Sequence, residues 1–206
     1  ACAPYRRLHL CHHNLETIDT TSTKHDLLLE VCMAAHYEGE SLTRYHREYQ
    51  HKYGDSPSKM CTMLARSFAD IGDIVRGKDP FYGNPQEKEK REDLEKKLKE
   101  VFGIIYNNLM QDLKEDQTKK VEAKKHYNDR TNYYQLREDW WNANRQDVWK
   151  AITCDAGQND KYFIKNTCSD GKSSAEHKCR CPNGNDQVPT YFDYVPQFLR
   201  WFEEWA

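Results

Sequence analysis

Eight cysteines, spaced irregularly through a polar chain of 206 residues, constrain this sequence more than any other feature. They show none of the C-x-x-C spacings that usually hold zinc or a redox centre. An even number of cysteines at long, irregular separations is typical of a disulfide framework formed in an oxidising compartment. The alternative is a zinc site, whose ligands would be Cys168, His177, Cys179 and Cys181.

The composition indicates a chain that folds despite its polarity. Hydrophobic residues make up only 37% of the sequence, and the mean hydropathy is −1.04. Disordered chains combine such values with few aromatic residues and a high net charge. Here there are five Trp, thirteen Tyr and seven Phe, and the net charge is only −2. We therefore expect a core of large rings under a strongly charged surface.

Membrane-spanning and targeting segments are not recognisable in the sequence. No apolar stretch approaches the length that crosses a bilayer, and residues 1–11 lack the apolar run of a signal peptide. If the protein is exported, we expect its targeting and anchoring parts to lie outside this chain.

Helical periodicity extends over the first half of the sequence. Residues 24–53 place apolar and aromatic side chains at helical spacing, with Gly39 as a candidate kink. Ser56-Pro57 is typical of a helix start, as N-cap and first helical residue. The helix that follows is predicted to end near Gly77. Its apolar stripe consists of Cys61, Leu64, Phe68, Ile71 and Val75.

Three more helices are predicted after this point. Asn84-Pro85 starts one of them, whose residues 86–100 carry six acidic and six basic side chains, as solvated helices with i,i+4 pairs do. Residues 131–152 are rich in Trp and Tyr, and residues 195–205 form a last helix. Between these two, residues 154–189 hold four cysteines with Gly and Pro and indicate a loop. The predicted fold class is mainly α, a disulfide-stapled bundle of long helices with a cysteine-rich loop.

The positions of the cysteines limit how they can pair. If the first two long helices form a hairpin about Gly54, Cys32 lies 22 residues before the turn and Cys61 only 7 after it. The two are then about 20 Å out of register at about 1.5 Å per residue, whereas a disulfide requires Cα atoms within about 7 Å. Unless Gly39 folds the first helix back, each cysteine should join its helix to the late cysteines. Such long loops contribute at most about 4–5 kcal/mol each.

Catalytic motifs are missing from the sequence. It contains no H-E-x-x-H, G-x-S-x-G, P-loop or G-x-G-x-x-G pattern. Glu203 and Glu204 are adjacent on a predicted helix, where their side chains point apart and cannot form an acid–base pair. We therefore predict that the protein is not an enzyme and uses no cofactor, with neither catalytic nor metal-binding residues.

Basic clusters are better candidates for an interaction surface. Residues 1–15 contain no acid, and residues 114–126 contain five Lys against three acids. Such clusters bind sulfated polysaccharide or acidic protein surfaces with salt-dependent affinity, although ordinary solvated faces carry similar charges. Nucleic acid is disfavoured by the oxidising compartment and the net charge. The candidate binding residues are Arg6, Arg7, Arg44, Arg47, Lys52, Lys119, Lys120, Lys124 and Lys125.

Five sequence blocks occur in order along the chain: CAPYRRLHLC, LLLEVCMAAHYEG, MCTMLARSFADIGDIVRGKD, WWNANRQDVWKAITC and VPTYFDYVPQFLRWFEEWA. Together they resemble a Duffy-binding-like domain. More narrowly, they resemble the alpha class that opens the variant erythrocyte membrane proteins of the malaria parasite Plasmodium falciparum. The resemblance runs from Ala1 to Ala206. Residues 78–132 and 155–187, between the blocks, lie where that family varies most.

The resemblance implies a domain of three subdomains, of which this chain is a part. Residues 1–23 would be the end of the first subdomain, residues 24–190 the helical second subdomain, and residues 191–206 the opening helix of the third. Cys2 and Cys11 would pair with cysteines upstream of this chain. The other implied disulfides are Cys32 with Cys154, Cys61 with Cys179 or Cys181, and Cys168 with the remaining one of these two.

The same resemblance implies adhesion and antigenic variation. Members of the family are extracellular parts of membrane proteins exported to the surface of the infected red cell, and the alpha class is associated with rosetting. Expected partners are a host receptor or heparan-sulfate-like glycan, host antibodies, and the adjacent cysteine-rich interdomain region of the same protein. The alternative is a non-adhesive structural or immune-decoy module that supports a neighbouring adhesive domain.

Overall fold

Long helices dominate the fold, as predicted. The computed structural model describes residues 2–10, 13–20, 23–53, 60–81, 83–160, 162, 166–168, 172–182 and 188–205, with the side chains of all of these except residues 13 and 49–53. Within these ranges no helix is both long and apolar enough to cross a lipid bilayer. A short 3-10 helix, Phe192–Tyr194, precedes the last α-helix. The α-helices are α1 (Tyr5–Leu8), α2 (His13–Glu16), α3 (Lys24–Tyr53), α4 (Met60–Arg76), α5 (Pro85–Asp112), α6 (Gln117–His126), α7 (Tyr134–Ile152) and α8 (Gln197–Trp205).

Helix α4 forms the centre of the core. It is covered by α3, α7 and the 3-10 helix, and almost all of its side chains are buried. The ring of Phe68 lies 5.1 Å from that of Trp141 and 5.3 Å from that of Trp149, measured between centroids. Burying a side chain such as Phe68 contributes about 1.5–3 kcal/mol. The predicted core of large rings is therefore confirmed.

Two glycines permit close contacts between these helices. Gly39 lies inside α3, which continues through it to Tyr53. A Cβ atom at Gly39 would lie 2.0 Å from the backbone oxygen of Ile152 at the end of α7. A Cβ atom at Gly72 of α4 would lie 2.7 Å from the ring of Trp141. The candidate kink at Gly39 is thus a site where two helix backbones touch.

Local sequence motifs determine where α4 ends and where α5 begins. The Asn84 side chain accepts a hydrogen bond from the backbone N of Glu87 at 2.9 Å, and the Glu87 carboxylate accepts one from the backbone N of Asn84 at 3.1 Å. With Pro85 in the first turn, this capping box begins α5 as predicted. Helix α4 ends before Gly77, whose φ of 70° suits a residue without Cβ. The helix start predicted at Ser56-Pro57 lies outside the described residues.

Helix α8 is oriented by buried charge. Arg200 donates hydrogen bonds to carboxylates of α4, at 2.7 Å to Asp70 and 2.5 Å to Asp73. These contacts turn Arg200 and Trp201 inward and leave the large apolar side chains of α8 outside. Phe198, Phe202 and Trp205, grouped on one side as the spacing indicates, are therefore 60–69% exposed.

Two disulfides connect the cysteine-rich loop. Cys61 of α4 is bonded to Cys179 and Cys168 to Cys181, which is one of the two pairings left open by the sequence. The indole Nε1 of Trp149 donates to the backbone oxygen of Cys179 at 3.1 Å, so the first bond also fixes the loop against α7. Because three of its four ligands are in disulfides, the alternative zinc site is excluded.

The other described cysteines have free thiols. Cys2 and Cys154 are exposed and Cys32 is half-buried, so the implied bond between Cys32 and Cys154 is not formed in this structure. Burial, with the charge of Asp147, raises the pKa of the Cys32 thiol to about 11. Cys32 lies seven residues, about 10 Å, before the level at which Gly39 meets α7. Cys154 follows the end of α7, and its neighbour Asp155 lies 3.8 Å from His36, one turn after Cys32 in α3. Cys11 lies outside the described residues.

Candidate adhesion surface

Arg6 and Arg7, two of the predicted binding residues, are buried. Arg6 is 2.8 Å from Asp70 and 2.9 Å from Glu204, with only 6% of its side chain exposed. Arg7 lies 2.6 Å from Asp79. The prediction that they belong to an exposed basic surface is therefore wrong. Counting acids among neighbouring residues could not reveal partners that are 64 to 198 positions away in the sequence.

Arg44 and Arg47 are exposed on the second half of α3. The guanidinium of Arg44 lies 5.3 Å from the ring centre of Tyr45, and Arg47 donates to the backbone oxygen of Asp155 at 3.3 Å. The side chain of Lys52 lies outside those described. A cleft of about 600 Å3 beside these arginines has mixed charge, because its lining is His36, Glu40, Thr43, Arg44, Arg47, Glu48 and Asp155.

The remaining candidates, Lys119, Lys120, Lys124 and Lys125, lie on α6. The sequence indicated only a basic cluster in this region and did not predict the helix. Its N-cap is Asp116, whose carboxylate accepts a hydrogen bond from the backbone N of Lys119 at 3.0 Å. No side chain of α6 is buried. Four lysines and one glutamate give the helix a formal charge of +3. It is therefore a surface helix held in the fold by little apolar contact.

The four lysines surround α6 and do not form a single stripe. At about 100° per residue, Lys120 and Lys124 lie on one side of α6, with Lys120 half-buried and Lys124 exposed. Lys119 and Lys125 line a cleft between α6 and the end of α5. Lys119 lies 3.2 Å from Asp116. Across the part of the chain that the structure describes, the other three lysines make no ion pair. The side of α6 that carries Lys120 and Lys124, called its outer side below, thus presents two cations that make no ion pair within the described residues.

The cleft beside α6 has a volume of about 730 Å3 and a different character. Leu109 and Ala123 supply apolar contacts in it, while Lys119 and Lys125 contribute charge. Glu122 lines the same cleft and offsets part of that charge. Compared with the outer side of the helix, the cleft is therefore less suited to a polyanion.

Helix α6 is attached to α7 through one carboxylate that the sequence analysis missed. Oδ2 of Asp139 is 2.9 Å from Nε2 of His126 and 3.0 Å from the hydroxyl of Tyr127, and Oδ1 accepts from Gln135 at 2.9 Å. Burial, together with the hydrogen bond to Asp139, raises the pKa of Tyr127 to about 12. Nothing in the local sequence signals this contact, because Asp139 belongs to a different helix from His126.

A second surface of unusual composition lies at α1 and α8. Large apolar side chains are exposed on both helices, and the two are joined by the pair between Arg6 and Glu204. Exposed large apolar side chains on neighbouring helices are typical of a contact region. The exposed side chains are Tyr5, Leu8, Phe198, Leu199, Phe202 and Trp205.

Comparison with known protein families identifies the domain. The sequence model described as "Duffy binding domain" matches residues 1–200. The chain belongs to this family. The resemblance carried by the five sequence blocks is therefore confirmed.

Solved Duffy binding domains fit the whole chain. One is the NTS-DBL1(alpha-1) domain of Plasmodium falciparum membrane protein 1 (PfEMP1) from the varO strain, with 45% identity and a TM-score of 0.76, covering 100% of this chain and 43% of that one. Another is the N-terminal NTS-DBL1-alpha and CIDR-gamma double domain from the same strain, with 45% identity and a TM-score of 0.77, covering 100% of this chain and 27% of that one. These matches confirm the similarity to the alpha class.

A third Duffy binding domain, the PfEMP1 IT4var13 DBLbeta domain bound to ICAM-1, is 27% identical with a TM-score of 0.67, covering 100% of this chain and 44% of that one. This chain therefore spans less than half the length of each of these structures. The comparison with curated protein sequences gave no match.

Proposed function

We propose that this Duffy binding domain is an extracellular adhesion module of a variant surface antigen that binds a sulfated, heparan-sulfate-like glycan of host cells through α6. The carrying observation is the formal charge of +3 on a helix with no buried side chain. Arg44 and Arg47 of α3 supply a second, weaker basic surface. A relative that binds ICAM-1 supports a host-cell receptor as the class of partner.

The outer side of α6 suits a linear polyanion. Lys120 and Lys124 lie one turn apart, about 5–6 Å along the helix, so neighbouring negative groups of one chain can reach both. An exposed ion pair contributes about 1 kcal/mol or less. Useful affinity must therefore come from several contacts at once, and it must fall as salt screens them.

Retention of the folded chain on a heparin column tests this function. Replacing Lys119, Lys120, Lys124 and Lys125 by Ala should shift elution to much lower salt. The matched control removes the same number of charges from α5, at four lysines that each have a carboxylate partner. Elution of the wild-type chain at very low salt, or equal losses in both variants, would overturn the proposal. The control replaces Lys88, Lys90, Lys96 and Lys99 by Ala.

A second candidate is a structural or immune-decoy module, which the exposed apolar side of α8 favours. In this case the domain supports a neighbouring adhesive unit, and its variable surface diverts host antibodies. Red-cell binding discriminates the two functions. The adhesive function predicts binding that soluble heparin inhibits, whereas the decoy function predicts no binding with or without the adjacent cysteine-rich interdomain region.

The division into subdomains belongs to the same proposal. Residues 1–23 end a first subdomain, residues 24–190 form the second, and residues 191–206 open a third. The exposed side chains Phe198, Phe202 and Trp205 support this division, since a helix that begins another packed unit needs such a face. In this proposal the protein is displayed on the surface of the infected red cell.

A further inference from the structure

Helix α6 has too little packing to keep a fixed orientation by itself. It has ten residues, and helices this short are marginal in water without tertiary support. Ala123 is its only apolar side chain packed against the core, while Val121 is 64% exposed. Something other than apolar contact must therefore hold the lysines in place.

The connection after α6 is fixed independently of the helix. Asp129 accepts hydrogen bonds from the backbone N of Thr131 and of Asn132, each at 3.0 Å. The guanidinium of Arg130 lies 3.9 Å from the ring centre of Tyr106 on α5. These contacts anchor the loop but do not determine how α6 lies against α7.

From this geometry we infer that Asp139 is a positioning residue, which fixes α6 and thereby presents its lysines to the glycan in one arrangement. Its carboxylate binds His126 at the end of α6 and Tyr127 directly after it, while Gln135 on α7 orients the carboxylate itself. Hydrogen bonds to a charged group are worth more than those between neutral groups. The inference rests on the function proposed above.

Replacing Asp139 separates positioning from simple electrostatics. Removing a negative charge near a basic helix should strengthen the binding of a polyanion if charge alone decides. If Asp139 positions α6, its removal should weaken binding although the net charge becomes more positive. The two explanations therefore predict changes of opposite sign.

The experiment compares Asp139→Ala with Glu122→Ala in the 206-residue chain. Glu122 is exposed on α6 and makes no ion pair within the described residues, so the control removes the same charge without touching the anchor. We expect Asp139→Ala to elute from heparin at lower salt than wild type, and Glu122→Ala at higher salt. Tyr127→Phe, which removes one donor and no charge, should fall between wild type and Asp139→Ala.

Hydrogen exchange supplies a readout that does not depend on heparin. In Asp139→Ala, the amides of residues 117–127 should exchange about fivefold to tenfold faster, as expected for losing partly exposed hydrogen bonds to a charged acceptor. The melting temperature and the exchange of α4 should stay unchanged, and Glu122→Ala should show no acceleration. These results would confirm the positioning role even if the wild-type chain did not bind heparin.

The role of Asp139 is overturned if exchange in α6 is unchanged, or if Asp139→Ala elutes later than wild type, as Glu122→Ala does. The latter result would leave the proposed glycan binding intact. Failure of the wild-type chain to bind heparin would instead remove the proposed function, while hydrogen exchange still decides whether Asp139 fixes α6.

Discussion

Single atoms limit how closely the helices of this domain approach one another. At Gly39 the backbone of α3 touches the end of α7, and an added Cβ would lie 2.0 Å from the oxygen of Ile152. Gly103 of α5 has more space, since the nearest atom to an added Cβ is the hydroxyl of Tyr133 at 3.3 Å. The same substitution at these two helical glycines should therefore have different effects.

We predict that Gly39→Ala lowers the free energy of unfolding by about 1–3 kcal/mol, the usual cost of overpacking a core. In Gly103→Ala, the small steric conflict should be offset by the higher helix propensity of Ala, about 1 kcal/mol. Urea denaturation followed by circular dichroism measures both changes. Equal losses at the two positions would show that backbone contact at Gly39 is not the limiting factor.

For single residues, contacts within a local sequence motif could be predicted, whereas contacts between residues far apart in the sequence could not. Asn84 and Glu87 form their capping box within four residues of sequence, so the start of α5 could be read directly. Arg6 gave no such signal, because Asp70 is 64 positions away. Asp139 was overlooked for the same reason, since its partners belong to a separate helix.

Among the secondary-structure elements, those with an apolar stripe were predicted well. Helix α4 has such a stripe, and its predicted end near Gly77 is confirmed. Helix α6 has none, so the sequence alone did not delimit it. The side of α8 that faces inward could not be predicted either, because buried carboxylates on α4 bind Arg200 and thereby place the apolar residues outside.

The two disulfides should contribute unequally to the stability of these elements. Cys61 and Cys179 are 118 positions apart, whereas Cys168 and Cys181 are 13 apart. In the chain-entropy model the longer loop contributes about 5 kcal/mol and the shorter about 3 kcal/mol. We predict that Cys61→Ala/Cys179→Ala lowers the melting temperature more than Cys168→Ala/Cys181→Ala does. A larger loss in the second double variant would contradict this order.

For the whole molecule, buried charges connect elements from both ends of the chain. Asp70 of α4 binds Arg6 of α1 and Arg200 of α8, at 2.8 and 2.7 Å. Burial opposes the ionisation of Asp70, but the positive charges of Arg6 and Arg200 outweigh it and lower the pKa of this carboxyl. Some of the charged residues behind the near-neutral net charge are therefore paired inside the fold, where they stabilise it and cannot contribute to binding.

The lowered pKa of Asp70 predicts sensitivity to acid. Because the unfolded carboxyl titrates near 3.8 and the folded one lower, its stabilising effect is present above about pH 4 and is lost as the pH falls further. Asp70→Asn should cost about 1–3 kcal/mol at pH 7, since Arg6 and Arg200 each lose one charged partner and keep the other, Glu204 and Asp73 respectively. The difference in stability between wild type and this variant should shrink on acidification.

Urea denaturation at a series of pH values measures this difference. Asp112→Asn, at an exposed position at the end of α5, is the control and should change stability by no more than about 0.5 kcal/mol. A difference between wild type and Asp70→Asn that stays constant from pH 7 to pH 3 would contradict the assignment.

The bond between Cys61 and Cys179 also determines the timing of assembly during synthesis. At about 5–20 residues per second, the chain takes about 6–24 s to grow by the 118 positions that separate the two cysteines. Throughout this interval Cys61 is a thiol without its partner, while Cys32 has already been synthesised and Cys154 follows before Cys179. Any disulfide that Cys61 forms in this interval has to be reversed by thiol–disulfide exchange before the bond to Cys179 can form.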